Sequence, residues 1–270
     1  MTPLQAFFAG DFEHWMACAT PAPPLWLFVH VPKTAGSSLS AELAKDLAPY
    51  RSLHIDHLDR GRPAMQRYDV AVEQALDAYR LAPFRFASGH VQQRQVVRLA
   101  QGVPGTRLFT MLRDPAARLI SDYLYQRSRM HPLSEEVRRR VPDFDAFLDL
   151  PGQRNRAARH LVPKAILDAG DAAAAIAHVE AHYAFLGLQE RYPLGFRALT
   201  RLLLGQARGP AARLRVNEEG AEERVGITAR LSDPKLVARM TALNGVDWAL
   251  HRHFAARWDS VAARLASWLG

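Results

Sequence analysis

The sequence predicts an α/β fold with a central parallel sheet, because short apolar runs alternate with helical patterns across small or polar turns. Residues 25–31 (LWLFVHV) are nearly uncharged and rich in β-formers, and the apolar positions that follow, Leu39, Leu43 and Leu47, recur every four residues. Residues 84–90 (FRFASGH) form a second short run ending in a glycine turn, before a helical stretch at 92–101. A third run, 106–112 (TRLFTML), stops at Arg113-Asp114-Pro115, where proline ends regular pairing and can open a helix at its first position. That helix spans 116–129, with Leu119, Ile120, Tyr123 and Leu124 inward.

The remaining elements follow in order. Phe7, Phe8, Phe12, Trp15 and Met16 fit one face of an N-terminal helix within residues 1–19, placed either against the core or against a membrane or partner. Pro21, Pro23 and Pro24 make a short stiff linker. Residues 54–63, broken by Gly61 and Pro63, read as a loop, and 69–79 as a helix with Val72, Leu76 and Tyr79 on one face. From Phe144 the chain is mostly helical, with helices at 155–161, 173–183 and 194–204. Residues 184–188 (AFLGL) are a further strand, and 205–226 are the expected mobile loop. A helix from Pro234 stops at Asn244-Gly245, and the last helix carries Phe254, Trp258, Val261, Leu265 and Trp268 on a core-packing face. No internal repeat or low-complexity tract is present.

With 270 residues and 49% apolar content, the chain fits one large domain, or one domain with a small appendage. A net charge of +8 favours anionic partners, whether a nucleotide or a polyanionic acceptor. Nucleic acid is not expected, since there is no zinc-finger spacing, RNP signature or basic heptad array. Cys18 is the sole cysteine, so no intrachain disulfide can form, and a cytoplasmic location is expected. No transmembrane segment is expected, as no apolar run reaches about 18 residues. Residues 1–19 lack the pattern of a signal peptide.

The chemistry concentrates where strands end. Between the first strand and its helix, Gly36, Ser37 and Ser38 supply a flexible turn and hydroxyls, and Lys33 adds a positive charge. A strand feeding a helix in this way aims backbone N–H groups and the helix dipole at one spot, which suits a phosphate or sulfate. The loop is not a Walker A motif, because Lys33 precedes Gly36. Arg113 ends the third strand, and Ser121 lies about two turns into the next helix, near enough to share an anion with it. Asp114 could instead pair locally or serve as a Walker B aspartate. His90 is the candidate general base, or else a helix-capping or substrate-binding histidine. His30, inside a strand, reads as structural.

The segment Pro32-Lys-Thr-Ala-Gly-Ser-Ser38 resembles the 5′-phosphosulfate loop of sulfotransferases that use 3′-phosphoadenosine 5′-phosphosulfate (PAPS). Its nearest flavour is the branch containing heparan sulfate 2-O-sulfotransferase and the carbohydrate sulfotransferases. The stretch Arg113 to Ser121 resembles their 3′-phosphate-binding segment, in the right order and at the right distance. Ser88-Gly89-His90-Val91 is similar to that branch's His-Gly-His-Val, with Ser88 in place of the first histidine. Looser similarity continues at Phe144-Asp-Ala-Phe147, at 155–161, at Phe185 to Glu190 and at Val216-Asn217-Glu218, where Gln189, Glu190 and Asn217 either touch ligand or serve as caps.

This resemblance implies a P-loop-like three-layer core with a helix-rich C-terminal half, spanning 25–270 as a single domain after an N-terminal helix and linker at 1–24. It implies transfer of a sulfuryl group from PAPS to an acceptor hydroxyl, on a saccharide or glycoconjugate, with no metal required. Lys33, Thr34, Ala35, Gly36, Ser37 and Ser38 would hold the phosphosulfate, Lys33 would also act in catalysis, Arg113 and Ser121 would hold the 3′-phosphate, and His90 would be the base. Ten arginines against four acidic residues between 94 and 140 suit an acidic acceptor, or are a solvated basic face. The rival readings are a P-loop kinase or NTPase and a non-catalytic polyanion-binding module.

Overall fold

Five strands form one all-parallel sheet in the computed structural model, which describes residues 1–55, 61–210 and 220–270. The strands are β1 (Trp26–Val29), β2 (Tyr50–Ser52), β3 (Phe86–Gly89), β4 (Arg107–Leu112) and β5 (Tyr183–Leu188), in the order β2-β3-β1-β4-β5. Central β1 is buried along its whole length, as a strand covered on both faces must be. Its register sets Val29 beside Gly89 on one side and Thr110 on the other.

The helices flank this sheet in a three-layer arrangement. The chain opens with α1 (Pro3–Ala9) and α2 (Phe12–Ala17), followed after β1 by α3 (Gly36–Asp46) and after β2 by α4 (Ala64–Leu81). Between β3 and β4 lies α5 (Gln93–Gly102). Between β4 and β5 come α6 (Pro115–Arg127), α7 (Ser134–Arg140), α8 (Phe144–Asp149), α9 (Arg156–Leu161), α10 (Lys164–Ala169) and α11 (Ala172–His182). After β5 follow α12 (Tyr192–Leu204), α13 (Ala221–Ala229), α14 (Pro234–Leu243) and α15 (Gly245–Leu269).

The N-terminal segment is two helices rather than one. Gly10 takes φ 76° and closes α1, and Asp11 then caps α2 through its carboxylate. The aromatic face is core: Phe7 packs edge-on against Phe185 and Trp258, while Phe8 and Phe12 lie tilted against Phe254 and Trp268. Trp15 is fully buried, and its indole N–H donates to the Ala184 carbonyl of β5 at 2.9 Å. Each such ring contributes about 1.5–3 kcal/mol by burial.

Other boundaries also differ. Helix α3 starts at Gly36, three residues before its first apolar position, because its opening turn is polar. The stretch expected to be a loop, 205–226, falls partly outside the described residues and ends inside α13, which starts at Ala221; Ile227, just past it on the same helix, joins a second core around Tyr123, Phe144 and Phe147. The expected loop at 54–63 falls partly outside the described residues, as does the Val216-Asn217-Glu218 block. No helix among the described residues is long and apolar enough to cross a membrane.

Candidate active site

Parallel strands all deliver their C-terminal ends to one edge. Here that edge collects His30 after β1, His90 after β3, Arg113 after β4 and Gln189 after β5, and all four line one cleft of about 790 Å³. The chain fills one side of β1 with β2 and β3, then crosses to the other side with β4 and β5. Such a switch point is where open α/β sheets leave a ligand crevice.

The loop after β1 is held in an uncommon shape. Lys33 and Ala35 have φ of 70° and 66°, left-handed values that cost a non-glycine residue about 1–2 kcal/mol each and collect at functional sites. Thr34 is fully buried, and its hydroxyl donates to the Val31 carbonyl at 2.8 Å, pinning the turn. No side chain caps the first amides of α3, so the positive end of an 11-residue helix opens on the cleft. Gly36 is required by a close approach: a Cβ there would run into the His30 ring. Of the loop residues, Lys33, Ala35, Gly36, Ser37 and Ser38 line the cleft, whereas the Thr34 side chain turns away from it.

The two segments expected to bind anions touch. Arg113 donates from Nη1 to the Lys33 carbonyl at 3.2 Å, and Arg113 and Ser121 both face the same cleft. Asp114 is occupied elsewhere: its Oδ1 accepts the Ala117 N–H at 2.8 Å and caps α6, the job of a helix cap rather than of a metal-binding aspartate. Glu190 accepts the Asp114 N–H at 2.6 Å and ties the end of β5 to the end of β4, while Gln189 lines the cleft. The ammonium of Lys33 lies 3.9 Å from the centroid of the Tyr125 ring, a cation–π contact that holds it inside the cleft.

His90 stands at the cleft wall. Its Nδ1 is 2.7 Å from the His30 carbonyl, and since a carbonyl only accepts, Nδ1 carries the proton and Nε2 keeps its lone pair. Burial, and then the neighbouring histidines His30, His54 and His160, hold His90 well below the usual histidine range, so it is a neutral imidazole at pH 7. Ser88, the residue where the resembling branch has its first histidine, is buried and hydrogen-bonded to the Tyr50 hydroxyl at 2.8 Å. It takes no part in the cleft.

His30 is more than a strand filler. It stacks on Phe28 at 5.2 Å and meets the His90 ring at 4.2 Å with a 37° tilt, centroid to centroid, and lines the cleft. His160 adds a fourth ring, with Nδ1 donating to the Val91 carbonyl at 2.9 Å. Helix α9, which carries His160, is fixed by reciprocal caps. Asn155 accepts from the Val246 amide, Asn244 accepts from the Asn155 amide, and Asp247 accepts from the Ala157 and Ala158 amides. Arg156 on the same helix faces the cleft and is held by Asp122 at 2.7 Å. Sequence spacing gave no hint of His54, His160, Tyr125 or Arg156, because only the fold brings them together. Of the ten arginines between 94 and 140, three pair with acidic side chains at the surface: Arg94 with Asp69, Arg98 with Glu73, and Arg140 with Glu136.

No family model matches the chain, and no curated protein matches it significantly.

Proposed function

We propose that the protein transfers a sulfuryl group from PAPS to a hydroxyl of an acceptor, a saccharide or glycoconjugate. The observation that carries this reading is the convergence of Lys33, the uncapped α3 N-terminus, Arg113, Ser121 and His90 on one cleft, with the two anion-binding segments joined by the Arg113–Lys33 hydrogen bond. Two separate sites for negative charge suit a donor phosphorylated at both its 3′ and 5′ positions better than a nucleotide with a single phosphate chain.

The bound donor supplies a sulfuryl group on a phosphate leaving group, so the chemistry needs no metal. The chain's own residues do the rest. The amides of Gly36, Ser37 and Ser38 and the Lys33 ammonium stabilise negative charge on the leaving oxygen. Arg113 and Ser121 fix the register of the nucleotide. His90 Nε2, already deprotonated, takes the acceptor's proton as its oxygen attacks sulfur. A dianionic ligand beside it raises the His90 pKa from the low value of the empty cleft toward the working range. Arg156, which also lines the cleft, is the cation this reading assigns to the acceptor. We place the reaction in the cytoplasm, which suits a single, half-buried Cys18 whose thiol burial pushes up to about 11.

The test is incubation with ³⁵S-labelled PAPS and a panel of saccharides and small alcohols. Labelled acceptor with an equal amount of 3′-phosphoadenosine 5′-phosphate is expected. Magnesium-dependent turnover of ATP, with no labelled product, would overturn the reading in favour of a kinase or NTPase.

A further inference from the structure

Three imidazoles meet at the rim of the cleft, and the transfer chemistry has a use for only one. His30, His54 and His90 each bring a ring nitrogen within 4.8 Å of the others, the one such cluster among the described residues. Their ring centroids lie 4.2 Å (His30–His90), 4.8 Å (His54–His90) and 5.6 Å (His30–His54) apart. His90 spends Nδ1 on the His30 carbonyl, so Nε2 is the nitrogen it offers. His54 is held through Nδ1 by the Ser52 hydroxyl at 3.2 Å. His30 is only 3% exposed, yet its Nδ1 has no hydrogen-bond partner. A buried polar nitrogen left unpaired is costly, and its presence beside two more imidazoles points to a ligand.

We propose that His30, His54 and His90 bind one divalent ion of the zinc class, and that the ion shuts the cleft by occupying His90. Three imidazole nitrogens suit zinc, copper or nickel, whereas magnesium and calcium demand oxygen ligands. Zinc–nitrogen bonds of about 2.0–2.1 Å in a tetrahedron put the ligands roughly 3.3 Å apart. The three nitrogens lie within 4.8 Å of one another, so an ion bound between them draws the imidazoles together. Lys33, whose charge reaches His30, opposes a dication and makes the site weaker than a closed structural one. An ion on Nε2 uses the lone pair that would take the acceptor's proton, so occupancy and base catalysis exclude one another. That consequence rests on the proposed transfer; the binding itself does not.

The test is calorimetric titration with zinc chloride, with cobalt(II) followed by its visible absorption. His178 and His182, stacked at 4.1 Å one turn apart on α11, form a generic ligand pair, so the titration is run in a His182→Ala background. One ion per chain is expected. His54→Ala and His90→Asn should each weaken it roughly tenfold or more, since loss of even an outer partner costs that much. His54 is exposed, and circular dichroism checks that its replacement leaves the fold intact. Unchanged affinity in His54→Ala, or no binding once His182 is removed, would overturn the site. Equimolar zinc should stop labelled-sulfate transfer, and a chelator should restore it. Transfer insensitive to bound zinc would overturn the switch. Zinc binding lost in His54→Ala, alongside no transfer under any condition, would support the site while rejecting the transferase reading.

Discussion

His90 donates a 2.7 Å hydrogen bond from Nδ1 to the main-chain carbonyl of His30, 60 residues earlier in the chain and just past the end of the neighbouring strand. The bond ties the ends of β1 and β3 together and fixes the tautomer of the proposed base. Asparagine in place of His90 keeps a donor for the His30 carbonyl but offers no proton acceptor. His90→Asn should therefore lower transfer by about 10²–10⁴-fold with donor affinity unchanged, as read by single-turnover kinetics and calorimetry. Transfer at the parent rate would remove His90 from the mechanism.

Gly36 lies where a Cβ would strike the His30 ring. Gly36→Ala should cost about 1–3 kcal/mol of stability, the range for overpacking a filled site, and should also weaken nucleotide binding by shifting the first turn of α3. Chemical denaturation and calorimetry check both effects. A variant as stable as the parent would show that the loop yields without strain.

Tyr125 presents its ring face to the Lys33 ammonium. Tyr125→Phe keeps that face and should behave like the parent. Tyr125→Leu removes a contact of about 0.5–1 kcal/mol, which corresponds to roughly 2–5-fold in transfer rate. Equal rates for the leucine and phenylalanine variants would mean that the contact does not position Lys33.

Burial holds the His160 imidazole at about 4, against an ordinary value of 6.5, and pushes His30 and His90 down as well. These folded-state values lie below those of the unfolded chain, so on acidification the unfolded chain takes up protons first. The stability is fully present above about pH 6.5 and is lost progressively as pH falls toward about 4. For His160 alone the upper bound is about 3 kcal/mol. Melting temperatures measured across this window should fall, and His160→Asn should flatten the slope. A flat profile in the parent would contradict the burial of these rings.

Much of this was legible in the chain, and what was not has a physical cause. Strands β1, β3, β4 and β5 announced themselves as apolar runs because both their faces are covered. Strand β2 leaves no signal in the sequence because it is three residues at a sheet edge, Tyr50-Arg51-Ser52, with no apolar run. Apolar periodicity marks α3 only from Leu39, because it reports the core-packed face and Gly36, Ser37 and Ser38 face the cleft. Lys33, Arg113, Ser121 and His90 could be named because each follows a strand end or its helix. His54, His160, Tyr125 and Arg156 could not, since their meeting depends on strand order and on the caps joining α9 to α15. Thr34 matched the loop pattern, but its hydroxyl serves the turn.

In the proposed reading the cleft holds a nucleotide by two separate anionic groups. Calorimetric titration with 3′-phosphoadenosine 5′-phosphate, alongside AMP and ATP and without magnesium, tests it most directly. Clear preference for the 3′-phosphorylated nucleotide is expected, with loss of that preference in Arg113→Ala. Equal or tighter binding of ATP, or an Arg113→Ala variant that binds all three as the parent does, would contradict it.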